Sequence, residues 1–453
     1  MRRCASYSFN LFTNGRIILR ASDHRQICAQ IKYGRCELLS ENTMILPLKL
    51  SLYLKVFAAR DAKWRIRRHI NFGIFAFLLL AGLMPADAQS FLAVSLPTGF
   101  SGTGNISLSR PLMLRWHYAS EATVNLAPVV AQNQIYLPLA SGVIVSLSSV
   151  DGALFWKSEI GGEVSAVPSA DERGVYLASA TAETVPQNSS SRDSSGVLRA
   201  LGRESGVTLW RRTLSSPIQG ALAATQTTIY GGARDGHLYA VQKNTGEILW
   251  ARQFPAAFNS CPLADGSRLY IGAEDGTFAA INQKTGDTLW RYRTRGAVRG
   301  NPVLLDGFVF FGSMDGYVYA LGAADGRLRW RTRTGAGVQS LANAGGGLIA
   351  PSLDNFVYML SLARGNRLWK HQMAGRVAAA PLTTIDGALF TPIAGDEAVV
   401  LDLRDGKQLN VLPLGADGAT AAAPVLANNI LLLTTRHGLL AFAQADDAAS
   451  RSR

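Results

Sequence analysis

Between residues 111 and 443 the hydrophobic positions fall into short runs that recur in a fixed order. Each unit has a proline followed by apolar residues, a short aromatic or aliphatic run, an acidic-Gly pair and a second apolar run. Arg268-Leu-Tyr-Ile-Gly272 and Phe308-Val-Phe-Phe-Gly312 show the first run, and His237-Leu-Tyr-Ala240 and Tyr317-Val-Tyr-Ala320 the second. Runs of this length and composition, bounded by turn residues, predict strands. The pairs Asp235-Gly236, Asp275-Gly276 and Asp315-Gly316 predict tight hairpins, because glycine tolerates the positive φ such reversals demand. The prolines are Pro128, Pro168, Pro262, Pro302, Pro381 and Pro424, with Ala221 and Leu341 substituting in two units.

A hexad ending in tryptophan closes each unit: Asp151 to Trp156, Ser205 to Trp210, Thr245 to Trp250, Thr285 to Trp290, Asp325 to Trp330 and Arg364 to Trp369. A seventh copy, Asp405 to Asn410, has lost the ring. Trp116 stands 40 residues before Trp156, and the later intervals are 54, 40, 40, 40, 39 and 41. Four short strands per period of about forty residues make a propeller blade. The last unit supplies three strands and stops. Leu112 to Tyr118 would provide its outer strand, close the ring and remove two open sheet edges. The expectation is an all-β, eight-bladed β-propeller of four-stranded antiparallel blades, with seven blades as the alternative if the last unit is not one.

Ala240-x-Gln242-x-x-x-Gly246-x-x-x-Trp250 and Ala280-x-Asn282-x-x-x-Gly286-x-x-x-Trp290, with Ala320, Gly326 and Trp330, resemble the tryptophan-docking motif of PQQ-like (quinoprotein-type) propellers. The resemblance covers roughly residues 111–443 and implies a structural role for Trp116, Trp156, Trp210, Trp250, Trp290, Trp330 and Trp369, with each ring packed between blades. Two functions share the repeat. Quinoprotein dehydrogenases bind PQQ and calcium on the propeller axis, and many carry an adjacent Cys-Cys pair, which is missing here. BamB-type scaffold proteins of the periplasm bind the machinery that inserts outer-membrane β-barrels, and this chain is closer to them in size. The resemblance therefore implies a non-catalytic protein that binds a protein partner, with a PQQ-dependent dehydrogenase-like quinoprotein or a soluble propeller of unassigned partner as the alternatives; the expectation is a monomer without PQQ, metal or nucleic acid. BamB proteins are usually lipoproteins, however, and Leu80-Ala81-Gly82-Leu83 lacks the cysteine a lipid anchor needs.

Charge and cysteine usage sharpen this picture. Of 45 Lys and Arg and 32 Asp and Glu, residues 1–88 hold 14 and 5; the remaining 31 and 27 leave the body nearly neutral. The basicity thus belongs mostly to the leader and does not argue for nucleic acid. Lys63, Arg65, Arg67 and Arg68 precede the 14-residue apolar run Ile70 to Leu83 and the small residues Ala86 and Ala88. This is the form of a secretory signal with cleavage after Ala88, and the run is shorter than the roughly 18–20 residues a spanning helix needs. The expected organisation is an over-extended or unstructured leader (1–62), a signal peptide (63–88), a linker (89–110), the propeller (111–443) and a disordered tail (444–453), giving a periplasmic protein. Cleavage would leave Cys261 without a disulfide partner.

No catalytic constellation stands out. His117, His237, His371 and His437 follow no short metal-ligand spacing. Two features suit partner binding. Arginines crowd the predicted outer strands (Arg291, Arg293, Arg295 and Arg299, then Arg327, Arg329, Arg331 and Arg333), and Arg293, Arg295, Arg299, Arg331 and Arg333 are the candidate contacts. Charged outer strands also guard against edge-to-edge aggregation. The second feature is a Ser-rich insertion, Thr181 to Ser195, placed between the two inner strands of the second blade.

Overall fold

The computed structural model describes residues 106–181, 195–393, 395–418 and 420–445, and the backbone of four short strands nearer the N-terminus. The expected signal peptide, most of the linker and tail, and the interior of the insertion lie outside the described residues. The chain divides into two units, Met1–Leu92 and Ala93–Arg453. In the first, Ser8–Phe12, Arg16–Arg20, Leu38–Ser40 and Thr43–Pro47 form an antiparallel sheet in the order first, second, fourth, third.

The second unit is an eight-bladed β-propeller. Blade 4 shows the pattern: Leu263–Asp265, Arg268–Gly272, Thr277–Asn282 and Thr288–Arg293 pair in chain order, each antiparallel to the last. The second and third strands are buried in near-continuous runs because neighbouring blades cover both their faces, whereas the fourth strand alternates exposed and covered residues. Ring closure follows the sequence expectation. In blade 8, Val425–Ala427, Ile430–Thr435 and Gly438–Gln444 take Leu112–Ala119 as the outer strand.

Ahead of that strand, the segment Ile106 to Arg110 acts as a clasp. Ile106 and Leu108 are buried among apolar residues of blades 7 and 8. Asp386 of blade 7 accepts from the Ser107 and Ser109 hydroxyls and from the Leu108 and Ser109 amides. Burial alone would raise the Asp386 pKa, but these bonds and one from Thr384 hold it well below the usual carboxylate range.

The seven tryptophans each lie against the hexad glycine of the next blade. Each stands on a fourth strand, opposite a residue of the third strand that is usually alanine, as in Ala240 with Trp250 and Ala280 with Trp290. A Cβ on Gly286, whose φ is +73°, would come within 2.7 Å of Trp250 Cε3. Six indoles also donate to a carbonyl of the next blade; Trp250 Nε1 to Gln283 O at 2.9 Å is one example.

Candidate functional site

The antiparallel order puts the hairpins between second and third strands at one rim, together with the loops that leave each fourth strand. The turns between third and fourth strands lie at the other rim. The Asp-Gly hairpins occupy the first rim and do more than reverse the chain. Asp315 Oδ2 in blade 5 accepts from the Arg295 amide of blade 4 at 3.0 Å and from Tyr319 Oη at 2.7 Å. Asp354 repeats this one blade on, with the Gly335 amide at 2.9 Å and Tyr358 Oη at 2.6 Å. Burial and this bond push the Tyr358 hydroxyl up to about 12. Asp315 and Asp354 therefore staple neighbouring blades. Their signal in the sequence is the tyrosine four residues after each, which Asp275 lacks.

The five candidate arginines do not form one patch. Arg293 and Arg333 end their strands beside the hairpins, opposite Thr277 and Tyr317. Arg293 is 70% exposed and 3.4 Å from Asp275. Arg295 lies beyond the strand end, in the loop leaving blade 4, and is exposed. Arg331 sits further along its strand, with its guanidinium 5.1 Å from the Tyr317 ring centre. Arg299 turns inward instead: it lines the axial cavity and makes a bidentate pair with Glu274 at 2.8–3.0 Å. The rim therefore gathers Arg293, Arg295 and Arg333, with Arg331 adjoining. At the opposite rim exposed apolar side chains, among them Phe155, Leu209, Leu249, Leu289 and Leu368, stand beside exposed charged ones such as Asp287, Arg327 and Arg404.

The insertion joins Gly174–Thr181 to Ser195–Gly202, the two central strands of blade 2, and the short pieces Glu163–Val164 and Ser169–Ala170 take the innermost position.

The axial cavity encloses about 300 Å³. Its polar lining is Asn125, Asn259, Asn301, Gln339, Ser340 and Arg299, set among small residues including Ala379 and Ala422. The residues there do not fit quinone with calcium. A hard divalent cation is held by converging oxygen ligands with carboxylates among them, yet among the described residues no Asp or Glu lines the cavity, and the Arg299 guanidinium there is committed to Glu274. Among the described residues, no group of three or more His, Cys, Asp or Glu could hold a metal. Cys261 faces the same cavity, but burial pushes its thiol up to about 12, which leaves it a packing residue.

Tryptophan-docked blades of this kind define the PQQ-like repeat propellers. The family model described as outer membrane protein assembly factor BamB matches residues 194–303 and 296–451, and the chain belongs to that family. Among solved structures, BamB from Moraxella catarrhalis is similar over 74% of this chain and 100% of its own, with TM-score 0.62 and 16% identity. A europium-containing methanol dehydrogenase is similar over 76% of this chain and 96% of its own, with TM-score 0.64 and 13% identity. Quinohemoprotein alcohol dehydrogenase ADHIIG from Pseudomonas putida gives 0.62 and 13% over 76% of this chain and 78% of its own. At these identities the likenesses establish the shared fold. No curated protein matches the sequence. Among the described residues no helix is long and apolar enough to cross a membrane.

Proposed function

We propose that the chain is a non-catalytic scaffold of the bacterial envelope, exported by the signal at 63–88, that binds a protein partner in outer-membrane β-barrel assembly. The family match carries this reading. The axial lining supports it, since Asn125, Asn259, Asn301 and Gln339 provide no charged ligand for a quinone-bound cation. In this reading the partner docks on the hairpin rim, where Arg293, Arg295 and Arg333 project, and Arg299 serves the fold. The fold likeness to methanol and alcohol dehydrogenases favours a second reading, in which the axis holds a quinone.

Affinity capture from envelope extracts tests the first reading against the second. Recovery of an outer-membrane assembly component, with no quinone absorbance in the purified protein, is expected. Quinone absorbance that returns when the stripped protein is given PQQ and calcium, without a polypeptide partner, would overturn it.

A further inference from the structure

Blades 3, 5 and 6 carry a tyrosine at one place on the third strand, and its hydroxyl serves the hairpin carboxylate. Tyr319 and Tyr358 bond Asp315 and Asp354 directly, and Tyr239 shares the Ser215 hydroxyl with Asp235. Blade 2 departs from this pattern twice. The pairing of Ala200 with Trp210, like that of Ala240 with Trp250, makes Arg199 the counterpart of Tyr239. The insertion also stands where blades 3, 4 and 5 have Asp-Gly and blade 6 has Asp-Asn, so among the described residues of blade 2 no hairpin carboxylate faces this position.

Arg199 is only 7% exposed, and its Nε has no hydrogen-bond partner. Among the described residues no carboxylate forms an ion pair with it. Its cross-strand neighbours are Leu177 on one side and Arg211 on the other, so two cations stand directly opposite each other. Like charges so placed repel, and a buried cation is strongly destabilising unless it is paired. Burial, with Arg211 adding to it, pushes the Arg199 pKa down. Ser179, two residues from Leu177 on the same strand face, is fully buried with an unpartnered hydroxyl. Leu177 packs with Ile144 and Trp156, so this face looks toward blade 1.

Two guanidinium groups and a hydroxyl that find no anion among the described residues make a receptor for one. We propose that Arg199, Arg211 and Ser179 form an oxyanion-binding site between blades 1 and 2, taking a single carboxylate or phosphate group. The site lies in blade 2, apart from the rim arginines of blades 4 and 5, and its test does not involve the partner that docks on them.

The test follows thermal unfolding of the full chain in chloride, phosphate and acetate at matched ionic strength. Phosphate is expected to raise the melting temperature of the wild type by several degrees through preferential binding to the folded state. Arg199→Tyr installs the residue of blades 3, 5 and 6; it is expected to melt no lower than wild type in chloride and to lose the specific response. Arg211→Gln should keep only part of it. A response to acetate as well as phosphate assigns the natural source to a polypeptide carboxylate, and a response to phosphate alone to a phosphoryl group. Equal responses in wild type and Arg199→Tyr would reveal general salting and overturn the proposal. So would the absence of any response in the wild type. The insertion contains Glu183 and Asp193. If Glu183→Gln with Asp193→Asn lowers melting in wild type but not in Arg199→Tyr, the chain supplies its own anion and the external-ligand site is refuted.

Discussion

Asn410, the one hexad end without a tryptophan, shows how local a departure from the repeat can be. A docked indole needs a glycine in the next blade, four residues before that blade's own tryptophan. For Asn410 the corresponding residue is Leu112, because blade 8 receives its outer strand from the far end of the chain. Asn410 instead donates its amide to the carbonyls of Leu108 and Arg110, binding the clasp where a ring would have no flat floor. Asn410→Trp is therefore expected to lower the melting temperature even though it restores the motif, and a rise would refute this account of the seventh copy. Trp250→Ala should cost about 3–5 kcal/mol in chemical denaturation, the range for emptying a large buried aromatic site. Gly286→Ala should also destabilise, since its methyl would strike the Trp250 ring and its φ disfavours any side chain.

At the scale of elements, the strands, the hairpins and the borrowed outer strand were legible in the sequence because each is written in spacing that repeats. What escaped depends on contacts between distant residues. The clasp is one case: Ser107 and Asp386 are 279 positions apart, and no periodicity marks them. Arg299 is another, since its distance past Trp290 places it at the inner end of the loop leaving blade 4 and not on an outer strand. The clasp makes closure sensitive to acid. Because the folded pKa of Asp386 is depressed, its contribution is fully present above the ordinary value of 3.8 and is lost as pH falls through the lower folded value. Asp386→Asn should thus lower stability at neutral pH and flatten the acid limb of the melting profile, as read by calorimetry across that range. Removing residues 106–119 should expose the edges of Gly438–Gln444 and Leu112's former neighbours and give a chain that aggregates on light scattering. A monomer with unchanged melting would contradict closure by this strand.

For the whole molecule, the body is nearly neutral, so attraction toward an acidic partner must come from clustering and not from net charge. Changing Arg293, Arg295, Arg331 and Arg333 together to glutamine should slow association and weaken its salt dependence. Melting should stay nearly constant, because exposed charges contribute about 0–1 kcal/mol each. Unchanged binding with falling solubility would mark these arginines as edge protection. The central claim is that partner recognition belongs to the hairpin rim and not to the axis. A photo-crosslinking residue placed in turn at Arg295 on that rim, at Leu249 on the opposite rim and at Asn301 in the axial cavity tests it in the living envelope. The account predicts a polypeptide adduct from position 295, identified by mass spectrometry as an outer-membrane assembly component, with none from 249 or 301. No adduct at 295, or one confined to 301, would contradict it.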